Sequence, residues 1–308
     1  MTNRNDISAD LVVIECLSRG IDLYRLNSEE FPIRVGLSVN PLKPSTAALD
    51  DQGDAVQIGR AGIWIWRPEW PTIDERVTDE LDAEFARQES VAALGGILRT
   101  LADRCVSPPD AMQAARWKLN QLVVAHHMGM NVPETLVTSN QGEAKRFADA
   151  GATVIKAVAE TRVSLGAEER VGFVTAAEKD TNWADVLVTP VVLQRQIVKS
   201  CDLRVTVVGK RVFPVRITVP GGAPVDFRAV DPQQCVYTTV DLDSGFSDAC
   251  LRFLDQFGLK FGAFDFAIDE MGRSWFLECN PAGQWGWLEE LAGVPITATL
   301  VDLLISLR

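Results

Sequence analysis

The chain has 308 residues, 47% of them hydrophobic and 23% charged, which suits one large folded domain or two to three smaller ones and excludes a disordered chain. Thirty Lys and Arg against 42 Asp and Glu leave a net charge of −12, which repels phosphate backbones and argues against general nucleic-acid binding. No apolar run approaches the ~20 residues of a transmembrane helix. The opening MTNRNDISAD has no apolar core, so no signal peptide is expected. Six scattered Cys without a CxxC pair read as reduced thiols of a cytoplasmic protein. The two His, His126 and His127, are adjacent and have no ligand-like partner nearby, which excludes zinc-protease and His-rich metal sites and argues against a Ser-His-Asp triad.

In chain order, residues 8–19 predict a helix capped by Ser8 or Asp6 and closed by Gly20, followed by a strand at 21–26. That order suggests an open α/β layer. Such layers begin with a strand, and only a few polar residues precede this helix, so the layer is expected to lack its first strand. Residues 40–54 read as a loop and 62–66 (GIWIW) as a strand. A long helix over 74–104 carries a double glycine, Gly95-Gly96, as a candidate kink. Ser107-Pro108-Pro109 marks a domain boundary near 107, and Asp110 with Gln113 forms a capping box opening one helix that runs to Met128 and ends at Gly129.

Beyond it come a strand at 135–138, a helix at 140–150, a strand at 152–159 and a polar hairpin-like stretch at 160–175. Strands at 188–198, 203–209 and 211–219 predict one antiparallel sheet, with Gly209-Lys210 as a hairpin turn. A helix at 247–258, a hairpin at 261–280 and a helix at 295–307 complete the chain, and no internal repeat is present.

The hairpin FGAFDFAIDEMGRSWFLECNP carries the strongest chemical signal. If its strands pair symmetrically about Met271-Gly272, Asp265 sits opposite Glu278, with Cβ atoms ~5 Å apart on one face. Asn280, two residues on, shares that face. Facing carboxylates repel unless a cation lies between them, and oxygen ligands of this kind suit Mg²⁺ shared with substrate phosphates. A bulge at the turn would break this registry. Cys279 points to the opposite face and reads as core. Lys156, in the apolar strand VIKAVA, is costly to bury unpaired and reads as a phosphate ligand or a snorkelling edge lysine. Lys118 alone is an ordinary helix lysine. Asp202 and Arg204 share a strand face and suit ribose hydroxyls and phosphate oxygens, or a plain surface ion pair.

In this order the pieces resemble the ATP-grasp carboxylate ligases. The phrases ARWKLNQLVVAHHMGMNVPETLVT, DLRVTVVGKRVFP and FLECNPAGQWGWLE, with WIWRPEWP upstream, look like the ATP-grasp maturases that make graspetides, the microviridin-type side-chain macrocyclases. The resemblance runs from about residue 6 to 308 and implies an α/β (α+β) ATP-grasp fold. Its parts would be an N-terminal α/β domain at 1–106, a central α+β subdomain at 107–192 and a C-terminal antiparallel-sheet subdomain with the metal site at 193–308.

By position, the resemblance implies that Lys118 and Lys156 contact ATP phosphates. The hinge at Gln194, Arg195, Gln196 and Ile197 would offer backbone groups to adenine, and Asp202 would hold ribose. Arg204 would meet phosphate or acyl phosphate, and Asp226 and Arg228 would stand near the substrate. Asp265, Glu278 and Asn280 would be Mg²⁺ ligands. Two departures stand out. Arg195-Gln196 replaces the family's acidic residue and aromatic, and AVAETRVSLGAEER, after Lys156, is poor in glycine.

The implied activity is phosphorylation of an Asp or Glu side chain of a ribosomal precursor peptide by ATP, then attack by a Thr or Ser hydroxyl or a Lys amine of the same peptide. The implied partner is that peptide, leader plus core, and a homodimer is left open. The leader's expected dock is the stretch 160–180, with Glu160, Arg162, Glu168, Glu169 and Arg170. A ligase joining small molecules or adding amino acids to a protein terminus shares the same ATP site. A non-catalytic ATP-binding scaffold is the reading from another class, against which the full Asp265/Glu278/Asn280 set argues.

Overall fold

A computed structural model of the chain describes residues 1–159, 162–165, 168–171, 174–222 and 224–308, with 162–165 and 168–171 described by backbone alone. Helix α1 (Ile7–Ser18) starts at Asp6, whose Oδ1 accepts the Ala9 N–H at 2.8 Å, and is left behind at Gly20 with φ +65°. Residues 21–26 form no regular strand. The N-terminal layer is built instead from short parallel bridges. Thr2 bridges Asn27 and Ile63 bridges Cys105, while the Trp66 N–H donates to the Met1 carbonyl at 2.8 Å. Segments 26–28, 1–3, 63–66 and 104–106 therefore lie side by side, and residues 1–3 fill the place of the strand expected to be missing. The ladders are too short for sequence periodicity to register them.

A second correction concerns 40–54. Strands β1 (Val35–Ser38), β2 (Ala48–Asp51) and β3 (Asp54–Gln57) make a three-stranded antiparallel sheet. β2 carries a single buried apolar residue, Leu49, packed with Leu26, Phe31, Val35 and Leu94, so no alternation marks it as a strand. Helix α2 (Glu80–Thr100) begins six residues later than expected, where Asp79 Oδ1 accepts from the Leu81 and Asp82 N–H groups.

The single helix expected from Asp110 to Met128 is two, α3 (Pro109–Ala115) and α4 (Lys118–His127). No capping box forms, because Asp110 instead pairs with Arg99 at 2.6 Å. The break at Arg116-Trp117 frees the Ala115 carbonyl, and the buried Gln121 side chain donates to it at 2.5 Å. Lys118 thereby stands in the first turn of a helix rather than in the middle of one.

Strand β4 (Thr135–Thr138), helix α5 (Gln141–Asp149), strand β5 (Thr153–Lys156), the two-stranded unit β6 (Arg162–Leu165) and β7 (Glu168–Val171), then β8 (Thr175–Ala176) and β9 (Val191–Arg195) follow. β4, β9, β5 and β8 form an antiparallel sheet in that order, with Ala144 of α5 packed on Leu193 and Val186. β9 thus belongs here and not with the two strands after it. Of the proposed leader dock, Glu160 and the side chains of Arg162, Glu168, Glu169 and Arg170 lie outside the described residues.

The second large sheet holds β10 (Lys199–Val208), β11 (Arg211–Thr218), β12 (Val236–Thr239), β13 (Phe261–Asp269) and β14 (Ser274–Asn280), antiparallel in the order β12-β11-β10-β13-β14. Gly209, at φ +59°, makes the expected β10–β11 turn. Helix α6 (Ser244–Phe257) precedes β13, and α7 (Gly286–Ala292) and α8 (Ile296–Ser306) follow β14. Side chains alternate across this sheet. Leu203, Val205, Phe264, Phe266, Phe276 and Cys279 face α3, α4 and α6. Val208, Val215 and Phe261 face a core of Trp66, Trp285, Leu288 and Leu300. Where that second core ends, the same face of the sheet carries Asp202, Arg204 and Asp265, buried or half-buried. Among the described residues no helix is long and apolar enough to cross a membrane, and all six cysteines are free.

Candidate active site

β10, β13 and β14 run side by side and set three residues in a row, because Arg204 pairs with Asp265 and Asp265 with Glu278 in the strand registers. Two carboxylates adjacent on one face need positive charge on both sides. Arg204 supplies one side, with Nη1 at 2.8 Å from each oxygen of Asp265, a compact charge-assisted pair. Lys118, from the first turn of α4, supplies the other, with Nζ 3.2 Å from Oε2 of Glu278. Asn280 lies on the same face, its Nδ2 at 3.3 Å from Asp265 and 3.2 Å from Glu278.

These contacts separate the two acids. Burial works to raise both. For Glu278 the charges of Lys118, Arg228 and Lys156 and the Asn280 bond outweigh it and hold the carboxyl at about 2. For Asp265 burial, with the Glu278 charge beside it, outweighs Arg204 and pushes the carboxyl up. Lys156 reaches in from β5 in the facing sheet. Its Nζ donates to Gln194 Oε1 at 2.6 Å, and Gln194 Nε2 to Thr135 Oγ1 at 2.9 Å. Burial pulls the Lys156 ammonium down to about 8, countered in part by Glu278 and reinforced by Lys118.

Arg228 and Asp226 form a pair within one turn. Arg228 Nε and Nη2 each lie 2.8 Å from a different oxygen of Asp226. The hydrogen bonds Arg228 donates to Asp226 raise Arg228 beyond its ordinary value; burial works against the Asp226 carboxylate, yet Arg228 lowers it. Asp202, the ribose candidate, is gripped by Lys199 at 2.6 and 2.8 Å, and Lys199 also donates to the Val225 carbonyl at 3.2 Å. Burial pushes Asp202 up to about 6, against the pull of Lys199. Sequence reading missed Lys199, because a period of two sets it and Asp202 on opposite strand faces; the register shift between Lys199 and Cys201 brings them together.

The hinge divides. Gln194 is buried beside Lys156. The Arg195 side chain turns away, stacking on Phe147 with its carbon 3.9 Å from the ring centre and bonding Glu134, Phe147, Gly151 and Thr153. The backbone N–H of Arg195 donates to Glu134 and that of Gln196 to Ala152. Those two donors are therefore spent within the protein.

The donor set fits a hard divalent cation: Asp265 and Glu278 offer carboxylate oxygens and Asn280, turned over, an amide oxygen, while the sulfur of Cys279, between Glu278 and Asn280 in sequence, is buried in the opposite core. The buried Nε of Arg204 has no hydrogen-bond partner among the described residues, which leaves it a donor for an anionic oxygen.

Two facing antiparallel sheets with this charged row between them define the ATP-grasp fold, the α/β (α+β) class expected from the sequence. No protein-family model matches the sequence, and no curated protein matches it. Solved structures match over its whole length. Macrocyclase MdnC bound with precursor peptide MdnA, from Microcystis aeruginosa MRC, is 24% identical with a TM-score of 0.85, covering 100% of this chain and 98% of that one. The RiPP-associated ATP-grasp ligase of Chryseobacterium gregarium, in complex with ADP and a leader and core peptide, is 24% identical with a TM-score of 0.86, covering 100% and 96%. ATP-grasp ligase PsnB, complexed with minimal precursor, Mg and ADP, is 22% identical with a TM-score of 0.78, covering 99% and 95%. The chain thus shares its complete fold with ligases of ribosomal-peptide maturation.

Proposed function

We propose that this chain is an ADP-forming ATP-grasp ligase that cyclises a ribosomal precursor peptide through its side chains. The observation that carries the reading is the row Arg204–Asp265–Glu278–Lys118, with Lys156 and Arg228 close by, on a fold whose neighbours were solved with precursor peptides, ADP and Mg. Asp265, Glu278 and Asn280 would hold Mg²⁺, which when bound offsets the negative charge that builds on the phosphates during transfer. Lys118 and Lys156 would neutralise phosphate oxygens from opposite sheets, with Asp202 toward the ribose and Gln194 to Ile197 along the adenine.

The core-peptide carboxylate attacks the terminal phosphorus of ATP, and the bond to the bridging oxygen breaks to release ADP. Arg204 and Arg228 would steady the acyl phosphate, with Asp226 fixing the Arg228 fork. A Thr or Ser hydroxyl, or a Lys amine, of the same peptide then attacks the acyl carbon, losing its proton as phosphate departs. No enzyme nucleophile is needed.

The division expected at 193 falls inside β9, and the separate sheets support one at residues 196–198 instead. The division at 107 is part of this reading. So is a leader dock on the β6–β7 unit, whose strands could pair with a peptide. A homodimer has a candidate surface in the exposed Ile7, Ile14 and Leu17 of α1. Free thiols fit a cytoplasmic location.

Mass spectrometry of the precursor after incubation with the protein, ATP and Mg²⁺ tests the reading. The expected product is lighter by one water per ring, and mild base restores that mass for esters but not for amides. A heavier product would mark addition of a separate amino acid and overturn the macrocyclase reading. Equal rates on core alone and on full precursor would remove the leader dock; leader dependence that survives charge reversal at Arg162 and Arg170 would move it.

A further inference from the structure

Among the described strands β14 lies at the sheet's edge beside β13, met on its other side by a single parallel bridge from Asn131 to Trp275, so the remaining groups on that side need partners from elsewhere. Two polar residues supply them, on either side of an extra residue. Phe266 pairs with Phe276 and Asp265 with Glu278, which leaves Leu277 bulged out. On the turn side of the bulge, the Phe276 N–H donates to the Asn131 carbonyl at 2.8 Å and Asn131 Nδ2 to the Ser274 carbonyl at 3.0 Å. On the other side, Gln121 Oε1 accepts the Cys279 N–H at 2.7 Å and Gln121 Nε2 donates to the Cys279 carbonyl at 2.7 Å.

One side-chain amide therefore does at Cys279 what a neighbouring strand would do, binding both backbone groups of a single residue. Gln121 is only 3% exposed, so water does not compete for these bonds. It stands one helical turn after Lys118, whose ammonium faces Glu278. Glu278 and Asn280 flank Cys279 directly, on a strand that a bulge and a free edge would otherwise leave loosely held.

We infer that Gln121 is a positioning residue for the proposed cation site. By holding the peptide groups of Cys279 it sets the angle at which Glu278 and Asn280 leave the strand, and it couples that setting to the helix carrying Lys118. This rests on the reading of Asp265, Glu278 and Asn280 as cation ligands. Partners behind a metal's own ligands commonly govern its affinity.

The test uses the full chain and Mn²⁺ as the probe, with binding measured by electron paramagnetic resonance in the presence of ADP, metal-free ADP affinity by calorimetry, and folding by circular dichroism. Gln121→Met keeps the length and removes all three hydrogen bonds. The expected result is a folded variant with Mn²⁺ affinity weakened roughly tenfold or more and metal-free ADP affinity unchanged. Mn²⁺ binding as tight as in the wild type overturns the inference alone, as does a parallel loss of ADP and Mn²⁺ binding, which would mark a merely structural glutamine. Absence of Mn²⁺ binding by the wild type overturns the metal-site reading and the inference with it. Should Gln121→Met fail to fold, Gln121→Asn, which keeps an amide but shortens its arm, is read by the same criteria.

Discussion

Asp265 and Glu278 face each other across β13 and β14 although the turn joining those strands is set one residue out of step with that pairing. From the turn outward Ile268 pairs with Ser274, Ala267 with Trp275 and Phe266 with Phe276; then Leu277 is skipped, and Asp265 meets Glu278. The symmetric pairing expected from the sequence therefore holds at the carboxylates and fails beside the turn. The bulge restores it, and it places the carboxylate pair where a strand twists most.

Replacing Glu278 by Gln removes one anionic oxygen and keeps the side chain's shape. Because Lys118 and the neighbouring cations hold this carboxyl ionised, at about 2, the loss is of a full charge throughout the neutral range. We expect peptide-dependent ADP formation to be abolished with the circular-dichroism spectrum unchanged. Turnover retained in Glu278→Gln would remove this residue from the metal site.

On the proposed reading, Lys156 should make nucleotide binding pH-dependent. Burial lowers its folded value to about 8 from an ordinary 10.5, so between those limits the unfolded chain binds the proton more readily and stability rises with pH. Binding runs the other way, since only the ammonium neutralises phosphate. ADP affinity should be level below about pH 8 and fall above it. Lys156→Ala should weaken ADP binding by about 1–3 kcal/mol at neutral pH and flatten that profile. Calorimetric titrations at several pH values measure both effects, and an unaltered profile would make Lys156 a structural partner of Gln194 with no part in nucleotide binding.

Gly283 lets the loop after Asn280 close over Arg204. A Cβ there would lie 2.5 Å from that of Ala263, 2.6 Å from Nη2 of Arg204 and 3.1 Å from the Asn280 Cβ. Ala263 is a strand residue with no room to yield. Gly283→Ala should therefore displace the loop and Arg204 with it, lowering turnover more than nucleotide binding. Steady-state kinetics beside ADP titration checks the split.

Gly96, exposed a little over one turn before the end of α2, meets nothing within 4 Å of an added Cβ. Gly96→Ala should raise stability by about 0.5–1 kcal/mol, the usual gain for Ala over Gly in a helix interior. A thermal or urea melt reads it, and activity should be unchanged.

Much of the candidate site's geometry was legible in the sequence because strand alternation is strictly local. Asp265, Glu278 and Asn280 on one face, and Cys279 on the other, follow from a period of two within a single hairpin. Lys118 and Lys156 could be placed only through the resemblance, since a lysine in a helix or strand says nothing of where its element packs. The tertiary structure alone brings them to the carboxylates, by breaking the helix at Trp117 and by facing β5 toward the second sheet. It also decided what pattern could not reach: the parallel bridges Thr2–Asn27 and Ile63–Cys105, each too short to have a period, the sheet to which β9 belongs, and the clamp of Gln121 on Cys279. A clamp spanning so many residues leaves only one local trace, a polar side chain on the buried face of α4 beside Ala125. Its partner is set by packing, which no short stretch of chain encodes.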